Sequence, residues 1–168
     1  MDKEHNTFIY PEEKNMSHPL LCWDIVLESF HQRMHYQYDL ECIQIIQEKN
    51  GWQNLAVLPD SALIWENKII VITNTSLIIE HVTQNIYAMN GYLPKEVIGK
   101  SPKMFQGKET SLDTRRQIKL AITKPTPFNA SIANYRKDGS LYMCQIEAYP
   151  IFNEQGKLVN FIAFEQAA

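Results

Sequence analysis

Between Phe128 and Glu165 the chain alternates three runs rich in β-branched and aromatic residues with two short polar turns, and that rhythm leaves few folds open. The runs are FNASIANYR (128–136), LYMCQIEAYPIF (141–152) and LVNFIAFE (158–165). Between them stand Lys137-Asp138-Gly139 and Asn153–Gly156. Turns of this composition let the backbone reverse at a glycine and join neighbouring strands directly. The spacing predicts a three-stranded antiparallel meander.

A second pair of β-branched runs lies upstream. KIIVIT (68–73) and LIIEHV (77–82) flank the turn-prone Asn74-Thr75-Ser76, which predicts a hairpin. The stretch TQNIYAMNGYLPKEVIG (83–99) reads as short helical turns broken at Gly91, Pro94 and Gly99. Thr110 with Asp113 has the spacing of a capping box and opens a helix over 111–123, with Leu112, Ile118 and Ile122 as its inner face and Pro125 as its stop. Hairpin, small helices, one longer helix and a meander make an α+β chain: a five-stranded antiparallel sheet with short helices on one face. A pocket is expected between sheet and helices.

Ahead of the sheet, residues 1–17 are polar and expected to be loose. Ser17 or His18 with Pro19 suits a helix start, and Asn50-Gly51 a stop. Trp23, Leu27, Phe30, Met34, Tyr38, Cys42 and Ile45 recur at steps of three and four and predict an apolar stripe along that helix. The stripe fits either one helix or two, with a break near Tyr38-Asp39. The stripe calls for a cover: another helix, another copy of the chain, or the sheet face. The expected organisation is an N-terminal helical extension over residues 1–60 and a sheet domain over 61–168.

Composition excludes several classes. A net charge of −3 and scattered lysines and arginines do not predict binding to nucleic acid or to an anionic membrane surface. Cys22, Cys42 and Cys144 lie far apart without a CxxC, so neither a disulfide framework nor a zinc knuckle is expected. The start MDKEHNTFIYPEEKN has no apolar core of a signal peptide, and no apolar run approaches the roughly 18–20 residues of a membrane span. A cytoplasmic protein is expected. Glu28, His31 and His35 share a helix face, but without a third ligand from elsewhere they read as a solvated flank, and no metal is expected. His81 reads as a surface or rim residue. GKET is no phosphate loop and no nucleophile elbow is present, so the chain does not read as an enzyme.

The phrases YAMNGYLPKEVIGKSPKMFQG, NYRKDGSLYMCQIEAYPIF and GKLVNFIAF resemble a PAS domain, and within it the flavin-binding LOV branch. The likeness runs from about Ala62 to Ala168. It implies a sensory or protein-interaction module with a five-stranded antiparallel sheet, and a helix ahead of the core that often mediates dimerisation. A homodimer through the N-terminal helix and an unidentified signalling partner are therefore expected. LOV domains read G-x-N-C-R-F-L-Q-G where this chain has Gly99–Gly107, so Ser101 takes the asparagine's place, Pro102 that of the photoreactive cysteine and Lys103 that of the arginine. Gln106 and Asn134 match the pattern. A second flavin-contacting asparagine falls on Cys144, and the glutamine of the last strand on Glu165, with Gln166 beside it.

A thiol adduct needs a sulfur beside the flavin ring, and proline offers none. The resemblance places Cys144 at the ring's polar edge, away from its reactive carbon. That edge calls for amides that both donate and accept, and here a weak thiol and a carboxyl replace two of them. The cofactor is therefore open: another ligand or an empty core is expected ahead of flavin, and a cysteine-less flavin photosensor or redox sensor is the alternative. Laid over this chain, the family's pocket is walled by Ile70, Ile86, Met89, Met104, Phe105, Asn134, Cys144 and Glu165. Among the aromatics, Tyr135, Tyr142, Tyr149, Phe161 and Phe164 are further candidates, though any one of them is more simply packing.

Overall fold

The computed structural model describes residues 20–53 and 68–168. The expected cap at 17–19 and the domain boundary near residue 60 lie outside the described residues. The chain divides into two units between Gln32 and Arg33. The first contributes the opening turns of helix α1 (Leu20–Asn50). The second carries the rest of α1 and the whole sheet.

In the second unit, strands β1 (Ile69–Asn74), β2 (Ile79–Val82), β3 (Phe128–Tyr135), β4 (Leu141–Phe152) and β5 (Leu158–Ala167) form one antiparallel sheet in the order β2-β1-β5-β4-β3. The turns close as their composition dictates. Asp138 accepts from Ser140 N at 2.8 Å while Gly139 takes a left-handed φ of 85°. Asn153 accepts from Gln155 N and Lys157 N at 3.1 and 2.9 Å around Gly156. The first hairpin starts its second strand later than expected. Leu77 adopts a left-handed φ of 59°, and Asn74 Oδ1 holds the turn by accepting from Ser76 N and Ile78 N.

Alternation along the strands sorts the core into two layers. On the inner face Ile69, Val71 and Ala163 pack against the short helices α2 (Ile86–Asn90) and α3 (Pro94–Val97) and a 3-10 turn over Pro102–Phe105. Ile132, Tyr142 and Cys144 continue this layer toward Met89 and toward Ile118 of helix α4 (Leu112–Thr123). On the outer face Ile70, Ile72, Ile151, Ile162 and Phe164 are covered by Tyr36, Leu40, Ile43 and Ile46 of α1 and by Trp52. Both faces of β1 are thus buried, which is why its sequence is a nearly unbroken apolar run.

Two open readings are closed and two local expectations are corrected. Helix α1 runs without a break at Tyr38-Asp39, because Asp39 is not a breaker here but a buried ligand of the sheet. The residues α1 turns to the sheet are not its predicted stripe: Ile43 is 1% exposed whereas Trp23 is 66% exposed, and Leu27, Phe30, Met34, Tyr38 and Ile45 are exposed with it. The cap of α4 is Ser111, whose Oγ accepts from Thr114 N at 3.3 Å; Thr110 Oγ1 instead donates to Ala133 O at 2.6 Å. Leu112 is 63% exposed, since six residues before Ile118 it stands about 120° round the helix from the face of Ile118 and Ile122, which are half-buried.

Two polar joints hold α1 to the sheet. Asn160 on β5 is fully buried and uses its whole amide: Oδ1 accepts from Asn50 Nδ2 (2.8 Å) and Trp52 Nε1 (2.9 Å), and Nδ2 donates to Thr73 O (3.1 Å) and Glu80 Oε2 (2.8 Å). Asp39 Oδ2 accepts from Gln84 N at 3.0 Å, and its Oδ1 lies 3.3 Å from His81 Nε2. His81 is therefore buried, not a rim residue, because α1 closes over β2 at this point. Replacing Asn160 by alanine orphans several buried groups at once, and Asn160→Ala is expected to lower unfolding free energy by about 2–4 kcal/mol in urea titrations. Leu112→Ala, by contrast, is expected to stay within about 0.5 kcal/mol of the parent.

Candidate functional site

The inner face of β3, β4 and β5 carries polar side chains in an otherwise apolar layer. Asn134 pairs across the ladder with Tyr142, and Cys144 and Glu165 stand on the neighbouring strands. All four are buried. The Cys144 thiol donates to Glu165 Oε2 at 3.5 Å. Burial pushes the Glu165 carboxyl up to about 7. Burial, with Glu165 alongside, pushes the Cys144 thiol far above its usual range, so this sulfur stays protonated. Tyr142 is raised to about 12, first by burial.

A further part of the site comes from helix α2. Asn90, fully buried at its end, accepts from Tyr92 N at 3.1 Å through Oδ1, while its Nδ2 has no hydrogen-bond partner. Asn134 Oδ1 and the Tyr142 hydroxyl are likewise buried and make no hydrogen bond of full geometry, with Asn90 and Asn134 the polar groups nearest the phenol. Asn90, Asn134 and Tyr142 lie together, the two amides both acting on the phenol. The turn after β3 holds this corner shut: Arg136 Nε donates to Met89 O (2.9 Å), its guanidinium stacks 4.7 Å from the Tyr142 ring, and Lys137 N donates to Asn90 O (2.9 Å).

The predicted site residues are only partly brought together. Asn134, Cys144 and Glu165 share the inner face, with Met89 against Cys144. Ile86, Met89, Met104 and Phe105 form the adjoining apolar wall, with Phe105 edge-on to Tyr92 at 5.6 Å. Ile70 is a correction: it lies on the outer face under α1, one residue of strand parity away from Ile69 and Val71. Tyr149 and Phe164 are also outside, packed edge-on at 6.3 Å. Gln106 ends the 3-10 turn, its N–H on Lys103 O, and is half-buried. Gly107 is required next to it, since a Cβ there would meet the Tyr135 ring at 2.4 Å. Pro102 opens the 3-10 turn and Ser101 Oγ accepts from Lys103 N.

Asn90 was not anticipated. Its signal is an asparagine on the apolar face of YAMNGY, where a polar residue needs a buried partner. Two clefts open on the surface of this unit, the second of them at this same corner. One of about 370 Å³ is lined by Tyr38, His81, Gln84, Leu93, Lys95 and Ile98, and one of about 300 Å³ by Asn90, Arg136, Lys137 and Asp138. Glu28, His31 and His35 are exposed on α1.

A family model for the PAS domain matches residues 67–166. The chain belongs to the PAS family. Its PAS domain is 37% identical to Protein TWIN LOV 1 of Arabidopsis thaliana over 46% of this chain and 20% of that protein. It is 30% identical to Phototropin-2 of Oryza sativa subsp. japonica over 51% of this chain and 9% of that protein, and 32% identical to a blue-light-activated histidine kinase of Brucella canis over 45% and 15%. The chain thus spans a fifth or less of these relatives. Among solved structures, the light state of the blue-light photoreceptor Aureochrome1 LOV superposes with a TM-score of 0.59 at 25% identity, covering 64% of this chain and 86% of that one. A light-oxygen-voltage domain studied with a flavin analogue gives 0.60 at 24%, covering 64% and 82%, and supports the fold. Sensory PAS domains of the LOV type are what this domain is similar to.

Glu165 makes the PAS domain's stability depend on pH with a definite sign. Its folded value, about 7, exceeds the ordinary 4.5. The contribution is therefore complete below about pH 4.5 and is lost as pH rises through 7. Between pH 5 and 8 the urea midpoint is expected to fall, by on the order of 3 kcal/mol in free energy. Glu165→Gln is expected to flatten that fall.

Proposed function

We propose that this chain is a sensory and relay module, without catalytic activity of its own, that dimerises through α1 and passes a signal to a partner protein in the cytoplasm. In this reading residues 1–60 are the dimerising extension and 61–168 the sensing domain, with no nucleic acid or membrane partner. The observation that carries it is the double role of β5. Its inner face bears Glu165 in the polar interior, and its outer face bears Asn160, Ile162 and Phe164 under α1. A change of charge or occupancy at Glu165 is one residue from a side chain that packs the helix. The reading without catalysis is consistent with the state of Cys144, whose buried thiol is held protonated and so is a poor nucleophile.

A second reading has a specific observation behind it. Asn90 Nδ2, Asn134 Oδ1 and the Tyr142 hydroxyl are buried with unused hydrogen-bonding capacity. A planar ligand with donors and acceptors along one edge would satisfy them, and a protonated Glu165 donates and accepts as an amide does. A flavin is the ligand that the LOV resemblance brings to such a site, held by Asn134, Tyr142 and Glu165. When bound it would supply visible absorption and one-electron redox chemistry. An adduct is not part of this reading, since Pro102 carries no sulfur and Cys144 is committed to Glu165.

Absorption spectra of the purified protein, before and after incubation with excess flavin mononucleotide and desalting, separate the two. A flat spectrum in both is expected for the interaction module, with light scattering giving twice the monomer mass. A structured visible absorption band would move the weight to the second reading. Tyr142→Phe should then weaken retention of the flavin several-fold, while in the flavin-free protein it should leave stability unchanged or slightly raised, because it removes an unpartnered buried hydroxyl.

A further inference from the structure

Where α1 passes β2 the surface stays open. The cleft of about 370 Å³ lies between Tyr38 of α1, His81 and Val82 of β2, and the stretch from Leu93 to Ile98 that carries α3. Its volume is at the low end of the range for ligand sites, roughly 300–1,000 Å³, and takes one large side chain with the backbone that bears it. The apolar surface runs on past the mouth, because Tyr38, Leu93 and Ile98 are all exposed. Large apolar groups left in water around one hollow characterise a surface that another molecule covers.

The polar members of the cleft narrow what fits. His81 borders it although the residue is buried. The ring's Nε2 lies 3.3 Å from Asp39 Oδ1. In the neutral ring Nε2 carries the proton, since two lone pairs would otherwise face each other there. Nδ1 is then an acceptor, and it has no hydrogen-bond partner among the described residues. A donor brought in through the cleft would satisfy it. Lys95 stands exposed on the rim. Glu96, beside it on α3, is engaged by Lys137 at 2.7 and 2.9 Å, and Lys95 forms no ion pair among the described residues. The rim therefore favours a carboxylate.

We propose that this cleft docks a short segment of a partner protein, which inserts an aromatic side chain with a hydrogen-bond donor at its edge, tryptophan or tyrosine, and sets a carboxylate against Lys95. The inference rests on the relay reading and deepens it by giving the partner's chemistry. Aromatic anchors in well-packed pockets carry much of the energy of protein interfaces, and such an anchor has an apolar body for Leu93, Pro94 and Ile98 and a polar edge for His81. His81 and Gln84, which border the cleft, are also the two groups that Asp39 uses to hold α1 on the sheet. Docking and the seating of α1 are thereby coupled through one joint.

Titration of the isotope-labelled full chain with blocked dipeptides, followed by NMR, tests the site. Acetyl-Glu-Trp-amide is expected to bind saturably, on the order of 1 mM, and to shift the amide signals of His81, Val82, Leu93 and Ile98. With phenylalanine in place of tryptophan the donor is lost, and binding is expected to weaken several-fold. With lysine in place of glutamate binding is expected to weaken likewise, and Lys95→Glu to reverse that preference. The His81 Nδ1 resonance is expected to move upfield with the tryptophan peptide and to stay in place with the phenylalanine peptide. Ile98→Glu is expected to abolish binding. Equal binding of all three peptides by the parent protein, shifts scattered over the surface, or no binding at all would overturn the docking site, whether or not the variants fold. Shifts confined to Asn134, Cys144 and Glu165 would overturn it too, by putting the peptide in the interior. None of these failures removes the relay reading, which is decided by the absorption spectra and the molecular mass.

Discussion

The amide of Asn160 is the point on which the outer half of this domain depends. A carboxamide can make four hydrogen bonds, and here all four are made, to the end of α1, to Trp52, to β1 and to β2. A buried polar group with every bond satisfied holds one arrangement of its neighbours and penalises the rest. Apolar contacts between α1 and the sheet supply most of the attraction, but they are nondirectional. Asn160 and the Asp39–Gln84 bond fix which turn of the helix lies over which strand.

The inner half is built on the opposite principle. Its polar groups are left short of partners: a thiol against a carboxyl, two amides and a phenol with unused capacity. Such groups cost stability, and their presence in a layer otherwise made of isoleucine, valine and methionine supports the proposal that the domain responds here. β5 joins the two halves, because alternate residues of one strand face opposite layers. A response inside is mechanically adjacent to the helix outside.

Much of this was legible from one-dimensional pattern. The meander followed from KDG and NEQG, whose glycines do occupy left-handed backbone, and β4 begins and ends where its run of residues does. The helix over 112–123 followed from its spacing, although its cap moved by one residue because the Thr110 hydroxyl is engaged outside the helix, accepting from Gly107 N and donating to Ala133 O. Of the candidate residues, Asn134, Cys144 and Glu165 were found buried on the inner face. Ile70 was not, since parity in a strand apolar on both faces leaves no signal in the sequence.

What the sequence determined by itself is therefore local: strand runs, turn glycines, the helical period of α1 and the family phrases, all set by interactions between residues near each other in the chain. The tertiary structure alone decided which face of α1 meets the sheet. Both faces are apolar enough to do so, and the choice fell to residues that read as unremarkable in sequence. Asp39 reaches His81 and Gln84, and Asn50 reaches Asn160, across separations no periodicity can report. Buried hydrogen bonds between distant segments chose the face, and that choice left the predicted stripe free.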